Sequence, residues 1–506
     1  MASQQNTSEV VITSQQNASK VMTASQQNAG MATSQSREGE DRREAEGPYM
    51  KAPTKHSQTK AMTNMESTTP ILTPLVLLLL FSLAKGLHNP KCDAAYQHDH
   101  DGSTLQVFHV FSPCSPFRPS KPMSWEESVL QLQAKDQARM QYLSNLVARR
   151  SIVPIASGRQ ITQSPTYIVR AKFGTPAQTL LLAMDTSNDA AWVPCTACVG
   201  CSTTTPFAPP KSTTFKKVGC GASQCKQVRN PTCDGSACAF NFTYGTSSVA
   251  ASLVQDTVTL ATDPVPAYTF GCIQKATGSS LPPQGLLGLG RGPLSLLAQT
   301  QKLYQSTFSY CLPSFKTLNF SGSLRLGPVA QPKRIKFTPL LKNPRRSSLY
   351  YVNLVAIRVG RRIVDIPPEA LAFNPNTGAG TVFDSGTVFT RLVEPAYTAV
   401  RNEFRRRVSV HKKLTVTSLG GFDTCYTVPI VAPTITFMFS GMNVTLPPDN
   451  ILIHSTAGSV TCLAMAPAPD NVNSVLNVIA NMQQQNHRVL FDVPNSRLGV
   501  ARELCT

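Results

Sequence analysis

Two short runs constrain this chain more than any other feature, because each places an aspartate on a tight turn directly after an apolar stretch. They are Ala183–Ser187, which carries Asp185, and Val382–Thr387, which carries Asp384. The two aspartates lie 199 residues apart, which predicts two similar lobes that each supply half of one site. Two carboxylates that share a site cannot both ionise easily, so one holds a proton while the other acts as a base on water.

The composition favours β-structure over helix. The chain has 506 residues, including 38 prolines and 29 glycines, and short runs rich in valine, threonine, isoleucine and leucine lie between turn signals. It is 41% hydrophobic and only 15% charged, so it can bury a large core. These features predict an all-β architecture with two or more domains. Neither a Gly-x-Ser-x-Gly nor a His-Glu-x-x-His motif occurs, which argues against a serine hydrolase of that type or a zinc protease.

The cysteine content indicates an oxidising compartment. The chain has 14 cysteines, of which 12 follow residue 150, while Cys92 and Cys114 lie upstream. Both counts are even, as a disulfide framework in a secreted protein requires. Cys195, Cys198 and Cys201 have a spacing at which thiolates bind zinc. In a cysteine-rich secreted chain the same spacing favours disulfides, so the sequence predicts no metal and no cofactor.

The chain is strongly basic, with a formal net charge of +19. Between residues 151 and 506 there are 32 lysines and arginines against 15 aspartates and glutamates, so the folded part carries most of this charge. The basic residues cluster at Lys333–Lys336, Arg345–Arg346, Arg358–Arg362 and Arg401–Lys413. They predict a solvated basic surface, with non-specific binding of a polyanion such as wall polysaccharide or nucleic acid as the alternative.

Composition divides the chain into five segments. Residues 1–64 are polar and of low complexity, which predicts disorder. Residues 65–86 hold an apolar run that predicts a signal peptide whose first methionine is the true start of translation, with an uncleaved membrane anchor as the alternative. Residues 87–158 are predicted to be a propeptide. Residues 159–335 and 336–506 are predicted to form the two lobes.

The predicted propeptide contains a clear helix signal. Ser124 and Glu127 form a capping box, in which each side chain bonds the backbone N–H of the other residue. One face of the helix is then apolar and is interrupted only at Asp136; its members are Val129, Leu132, Met140, Leu143 and Val147. A helix of this kind ahead of a secreted hydrolase favours a segment that shields the site until it is removed, with Arg149–Arg150 as a candidate processing region.

Several motifs, in the right order, resemble those of pepsin-like aspartic proteases of the plant nepenthesin type. Tyr167–Pro176 resembles the strand and turn that open the first lobe, and the seven cysteines between Cys195 and Cys238 resemble the insert that marks this type. Within the type, the sequence looks most similar to the apoplastic and chloroplast-nucleoid-DNA-binding-like group. The resemblance covers roughly residues 165–506 and implies a bilobal all-β fold with the active-site cleft between the lobes.

The resemblance also assigns expected roles. It implies that Asp185 and Asp384 are the catalytic pair. The other positions it implies are Tyr244 on a β-hairpin flap, Trp192 supporting that tyrosine, and Thr186, Asn188, Ser385 and Thr387 at the two turns. Gly285–Gly290 and Leu498–Ala501 resemble the two hydrophobic-hydrophobic-glycine segments that run beneath the aspartate turns. Asn481–Gln485 and Val489–Asp492 resemble the C-terminal strand pair.

The first turn departs from the family pattern at two positions. Ser187 stands where the family usually has glycine, which permits close backbone approach. Asn188 replaces a serine whose hydroxyl contacts the outer oxygen of the first aspartate; an amide can donate a similar bond. The second turn, Asp384–Thr387, follows the pattern fully.

The combined expectation is a secreted plant aspartic endopeptidase, made as a zymogen and active at acidic pH on protein or peptide substrates, as a monomer. Asn241, Asn319 and Asn443 begin glycosylation sequons. The expected location is the apoplast, with vacuole or plastid as alternatives. The alternative functions are a weak or inactive protease-like binding protein related to plant xylanase inhibitors, and a polyanion- or DNA-associated protease.

Overall fold

A computed structural model describes residues 103–119, 121–148, 167–203, 205–314, 322–329, 331–344, 346–408, 415–455, 459–469 and 475–505. The predicted disordered segment, the predicted signal peptide, Cys92, Arg149–Arg150 and Asn319 lie outside these residues. All described residues belong to the unit that spans 76–506.

Short strands make up most of the described chain. The first fourteen are β1 Thr104–His109, β2 Tyr167–Phe173, β3 Gln178–Asp185, β4 Trp192–Val199, β5 Lys216–Lys217, β6 Pro231–Asp234, β7 Ala237–Tyr244, β8 Ser247–Leu260, β9 Asp263–Thr277, β10 Leu286–Gly288, β11 Thr307–Cys311, β12 Gly322–Leu326, β13 Lys336–Leu341 and β14 Tyr350–Val352. The next fourteen are β15 Leu354–Val359, β16 Arg362–Ile363, β17 Gly380–Phe383, β18 Thr390–Leu392, β19 Val416–Leu419, β20 Phe422–Tyr426, β21 Ile435–Phe439, β22 Met442–Thr445, β23 Leu452–His454, β24 Thr461–Leu463, β25 Met465–Pro467, β26 Leu476–Ile479, β27 His487–Asp492 and β28 Arg497–Arg502.

Helices are few and mostly short. They are α1 Trp125–Ala148, α2 Ser223–Gln227, α3 Leu296–Gln299, α4 Gln301–Tyr304, α5 Pro368–Leu371, α6 Glu394–Arg407 and α7 Asn481–Gln484. Two 3₁₀ turns cover Pro209–Lys211 and Pro448–Asn450. The predicted all-β, pepsin-like fold is therefore confirmed.

The first half of the chain builds one strongly paired sheet. Strands β2 and β3 form a hairpin, and the long strands β8 and β9 pair along most of their length. Between these strands an aromatic cluster fills the core: Phe173 packs edge-on against Phe270, and Phe207 packs edge-on against the same ring. Burial of such rings contributes strongly to stability because each removes a large apolar area from water. This sheet carries Asp185 at the end of β3.

A central sheet joins the two halves. Its strands run in the order β1, β12, β11, β27, β28 and β13, all antiparallel. Phe308 of β11 and Phe491 of β27 stack with their centroids 4.5 Å apart, and Tyr350 packs edge-on against Phe491. The outermost strand β1 comes from the predicted propeptide and also pairs with β2.

The segment beneath the second aspartate turn is not the one that the sequence suggested. β26 runs parallel to β17, with Ile479 beside Phe383, just as β10 runs parallel to β3. Leu498–Ala501 lies instead in β28, between β27 and β13. The prediction for Leu498–Ala501 was wrong because Ala480 stands where the motif was expected to have glycine, so only the later Leu-Gly pair matched the pattern.

The C-terminal strand pair also differs from the expectation. Asn481–Gln484 forms the single helical turn α7, and the strand pair consists of β27 and β28. The polar side chains of this turn are buried, and Gln484 donates to the carbonyl oxygen of Ile479 at 2.8 Å. A polar sequence such as this one predicts a loop or an edge strand. The hydrogen bonds of its buried side chains explain why it forms the helical turn α7 instead.

The predicted capping box of α1 is present. The backbone N–H of Ser124 donates to Glu127 Oε2 at 2.8 Å, and the N–H of Glu127 donates to Ser124 Oγ at 3.1 Å. The apolar face is buried at Val129, Leu132, Met140 and Leu143, which pack into two clusters of second-half residues. No helix among the described residues is long and apolar enough to cross a membrane.

Disulfides connect the described cysteines, none of which is free. The pairs are Cys195–Cys272, Cys198–Cys201, Cys220–Cys233, Cys225–Cys238, Cys311–Cys505 and Cys425–Cys462, and Cys114 is also disulfide-bonded. The three cysteines with zinc-like spacing therefore lie in disulfides.

Among these disulfides, Cys311–Cys505 is the one whose loss should destabilise the protein most. It closes a loop of 194 residues and anchors the last residues to β11, and long loops gain most from a cross-link. We expect the double substitution Cys311→Ser/Cys505→Ser to cost about 2–5 kcal/mol of unfolding free energy. Cys198→Ser/Cys201→Ser opens a loop of only three residues and is the control in thermal unfolding. Equal Tm values for the two double variants would contradict this ranking.

Candidate active site

The two aspartate turns meet face to face. Asp185 ends β3 and Asp384 follows β17, and both side chains are almost fully buried. The turns clasp each other: the N–H of Thr186 donates to Ser385 Oγ at 3.2 Å, and the N–H of Ser385 donates to Thr186 Oγ1 at 3.0 Å. This reciprocal pair of bonds ties the two aspartate turns together.

Asp185 is held by the residues that depart from the family pattern. Its Oδ1 accepts from the backbone N–H and from the hydroxyl of Ser187, at 2.9 and 3.0 Å. Its Oδ2 accepts from the side-chain amide of Asn188 at 2.7 Å. The serine in place of glycine thus fits the turn and adds a donor, and the asparagine supplies the bond expected of a serine.

Asp384 has a parallel but smaller set of donors. Thr387 Oγ1 donates to Oδ2 at 2.5 Å, and the N–H of Gly386 donates to Oδ1 at 3.3 Å. Below the turn, Asn481 donates to the carbonyl oxygen of Ser385 at 2.9 Å. A Cβ at Gly386 would lie 2.7 Å from a guanidinium nitrogen of Arg139, so a larger residue there would displace that side chain.

The predicted flap residues reach the same site. Tyr244 ends β7, and its hydroxyl donates to Asp185 Oδ2 at 3.2 Å. The ring of Trp192 packs edge-on against Tyr244, with centroids 5.4 Å apart. All eight predicted site residues are thus connected through direct contacts around the two carboxylates.

A residue that sequence reasoning missed lies between the carboxylates. Arg139 of α1 is 6% exposed, and its Nη2 donates to Asp185 Oδ1 at 2.5 Å and to Asp384 Oδ1 at 3.0 Å. Its Nε reaches Asp384 Oδ2 at 3.3 Å, and Nη2 also contacts Ser187 Oγ. Burial opposes the charge of Arg139, yet Asp185, Asp384 and Tyr244 raise its pKa well above the ordinary value. The apolar face of the helix is therefore interrupted at Arg139 as well as at Asp136, and this second charged residue was the signal available in the sequence.

Asp136, one turn before Arg139, docks the same helix. Its two oxygens accept from the backbone N–H groups of Val388 and Phe389 at 2.6 and 2.5 Å. Burial raises the pKa of Asp136 to about 7, against the lowering effects of Arg391 and of the two amides. The docked helix therefore takes up a proton at Asp136 as the pH falls through about 7, and burial of this side chain then costs less free energy.

The chemistry available to this site is that of a carboxylate pair. No group of histidine, cysteine, aspartate or glutamate side chains suited to a metal ion occurs within the described ranges. Two buried carboxylates, fixed by hydroxyl, amide and backbone donors, can share one proton and activate a water placed between them. With Arg139 in place, its guanidinium occupies the position between them.

Removal of the Asn188 amide should weaken the site without unfolding it. Asn188→Ala deletes the 2.7 Å bond to Asp185 Oδ2, whereas Asn188→Ser restores a short donor. We expect Asn188→Ala to lower kcat/KM for a peptide about tenfold and Asn188→Ser to keep most of it. A pH profile of both variants checks this, and equal activities of the alanine variant and the unmutated protein would contradict it.

Two family models cover most of the folded chain. Residues 167–328 match the model described as "Xylanase inhibitor N-terminal", and residues 349–502 match "Xylanase inhibitor C-terminal". Together they place one aspartate turn in each matched segment.

Named relatives are proteases. The chain is 50% identical over 444 residues to "Aspartyl protease AED3" of Arabidopsis thaliana, across 85% of this chain and 97% of that relative. It is 47% identical to "Aspartyl protease 25" of Oryza sativa subsp. japonica, across 79% and 94% of the two chains. It is 33% identical to "Aspartic proteinase nepenthesin-1" of Nepenthes gracilis, across 67% and 78%.

A solved structure shares the fold. The structure titled "Crystal structure of edgp" superposes with a TM-score of 0.55 at 21% identity, across 67% of this chain and 92% of that one. At this identity the likeness concerns the fold alone.

Proposed function

Because the chain belongs to the plant pepsin-like aspartyl proteases of the nepenthesin type, an aspartic-type endopeptidase family, we propose that it is an active acid endopeptidase made as a latent precursor. The observation that carries this proposal is the retained carboxylate pair, in which Asp185 and Asp384 each accept hydrogen bonds from residues of their own turn. Protein or peptide substrates follow from the family.

The proposed reaction uses one water between the carboxylates. The ionised member of the pair takes a proton from this water as it attacks the scissile carbonyl carbon. The protonated member donates a hydrogen bond to the carbonyl oxygen and stabilises the charge that develops there. Tyr244 and the flap that carries it would cover the substrate and exclude bulk water. The shared proton is assigned to the pair of carboxyl groups and not to either aspartate alone.

Latency is proposed to come from α1. Arg139 lies where the water and the scissile carbonyl would have to bind, and it is held by both carboxylates. Activation therefore requires that Arg139 leaves this position and gives up both ion pairs. The helix then dissociates and the segment around Arg149–Arg150 is processed.

A secretory route is proposed for the protein. The described disulfides suit an oxidising compartment, and the apolar run within 65–86 is of signal-peptide length. Asn241 on β7 and Asn443 on β22 are exposed, so both sequons can carry glycans. The apoplast is the proposed site of action, with vacuole or plastid as alternatives.

The alternative functions receive less support. A binding or inhibitor protein has no need for a carboxylate pair with all of its donors. The basic cluster on α6 is largely paired: Arg401 and Arg405 contact Asp423, while Arg406 and Arg407 contact Glu403. Polyanion binding therefore stays a prediction for the remaining basic surface, and salt-sensitive retention on DNA would test it.

Hydrolysis of a denatured protein between pH 3 and 7 tests the proposed function. The acid-treated protein should cleave the substrate in the acid range, and a statine-type transition-state mimic should block this cleavage. Absence of hydrolysis at every pH, with removal of the helix shown by mass, would favour the binding-protein alternative.

A further inference from the structure

The helical turn α7 places a buried side-chain amide beneath the second aspartate turn. Gln484 is 2% exposed, and its Nε2 donates to the carbonyl oxygen of Asp384 at 3.3 Å and to that of Ile479 at 2.8 Å. The carbonyl oxygen of Ile479 also accepts from the backbone N–H of Asp384, at 3.1 Å. Both backbone polar groups of Asp384 are therefore linked to Gln484, one directly and one through the shared acceptor.

The hydroxyl of Tyr310 orients this amide. Carbonyl oxygens can only accept hydrogen bonds, so the two carbonyls face the NH₂ group of Gln484 and leave its Oε1 to accept from Tyr310. Tyr310 is fully buried in β11, and burial, the charge of Asp384 and the nearby Tyr350 raise the pKa of its hydroxyl well above the ordinary value. The hydroxyl therefore keeps its proton, and acts as the donor, throughout the acid and neutral range.

The two aspartate turns are supported in different ways. The carbonyl oxygen of Asp185 accepts from the backbone N–H of Leu289 at 2.9 Å, so this support belongs to the main chain. The same oxygen of Asp384 accepts from the side chain of Gln484. The backbone on the second side of the carboxylate pair is thus held by a group that a single substitution can remove.

We propose that Gln484 is a positioning residue for peptide hydrolysis and that Tyr310 holds it in place. This inference rests on the proposed function and adds two residues that act on Asp384 through its backbone. The direction of a side chain follows from the backbone on both sides of it, so loss of the amide lets the Asp384 carboxyl group move relative to Asp185. A misplacement of about 1 Å can cost up to about 10²-fold in rate. Binding of an extended peptide depends little on this group, so the effect should fall on kcat.

Replacement of Gln484 by leucine tests the proposal against a matched neighbour. Gln483 is equally buried, and its side chain also makes three hydrogen bonds. Within the described chain these bonds go to Thr390, Asn450 and Ala464. Immobilised unmutated enzyme processes each variant and is removed, and kcat, KM and Tm are then measured. We expect Gln484→Leu to lower kcat at least about tenfold with KM within about twofold. Gln483→Leu should lower Tm by a similar amount and keep kcat within about twofold.

Two milder variants keep the test decisive if Gln484→Leu does not fold. Tyr310→Phe removes only the hydroxyl that orients the amide, and should lower kcat about threefold. Gln484→Glu keeps the shape of the side chain. Its protonated carboxyl group can accept from Tyr310 and donate to one carbonyl oxygen, whereas the ionised group repels both carbonyl oxygens. The kcat of Gln484→Glu, relative to that of the unmutated enzyme, should therefore fall between pH 4 and pH 6 while the protein stays folded.

The outcomes separate this inference from the function on which it rests. Equal losses of kcat in Gln484→Leu and Gln483→Leu would overturn the positioning role alone. An unchanged kcat in Tyr310→Phe, together with a ratio for Gln484→Glu that does not vary with pH, would do the same. No hydrolysis by the processed, unmutated enzyme would overturn the proposed function and this inference with it.

Discussion

Asp384→Ala should reduce peptide hydrolysis by the processed protein at least about 10³-fold. Asp384 is buried, accepts from Thr387 and Gly386, and faces Asp185 through the shared contacts of Arg139. Alanine removes one member of the pair, and Asp185 alone cannot take a proton from the water and donate one to the carbonyl oxygen in the same step. The protein should still fold, because the turns are clasped by Thr186 and Ser385 rather than by the carboxylate.

The measurement is hydrolysis of a denatured protein near pH 4. Immobilised wild-type enzyme processes the variant and is then removed, since an inactive chain cannot process itself. Asp365→Ala, at an exposed aspartate, is the matched control and should keep full activity. Retention of more than a tenth of the activity by Asp384→Ala would contradict the assignment of this carboxylate.

Arg139→Ala should give a precursor that is processed near neutral pH, where the unmutated precursor stays intact. The side chain supplies the only described ion pairs of both carboxylates, and breaking a buried ion pair costs about 3–5 kcal/mol. The substitution therefore destabilises the state in which α1 is docked, and the fraction of molecules with the helix released should rise by at least about tenfold. Processing at pH 6.5, followed by mass, should accelerate by a similar factor.

Two comparisons make this result specific. Arg118→Ala removes an exposed arginine of the same predicted propeptide and should process like the unmutated precursor. Arg139→Ala combined with Asp384→Ala should not process at all, because the released site is inactive. A precursor that stays intact at pH 6.5 despite Arg139→Ala would show that the helix is held by its apolar face alone.

Local signals predicted the fold class and the two aspartate turns, and the family resemblance supplied the other expected site residues. Each aspartate turn is encoded by an apolar strand followed by a short polar turn, and the capping box of α1 lies within four residues. Thr186 and Ser385 occupy matching positions after the two aspartates in the sequence, but the hydrogen bonds between them are seen only in the structure. Such local patterns retain their meaning without knowledge of the tertiary structure.

The missed features depend on contacts between distant segments. Arg139 and Asp136 interrupt an apolar helical face, and their partners are 46 to 253 residues away. Helical periodicity alone does not reveal what a buried charge contacts. The strand β26 was missed for a related reason. Ala480, which follows it, stands where the motif was expected to have glycine, and the position of β26 beneath the turn is set by its parallel pairing with β17.

The most direct test asks whether α1 blocks a working carboxylate pair. A statine-type transition-state mimic is titrated into the full precursor and into the processed protein. The mimic places its hydroxyl where the water binds, so it requires the space that Arg139 fills. We predict binding of one equivalent by the processed protein at pH 4 and no binding by the intact precursor at pH 6.5. Equal binding by both forms would contradict the block by α1, and no binding by either would contradict the working pair.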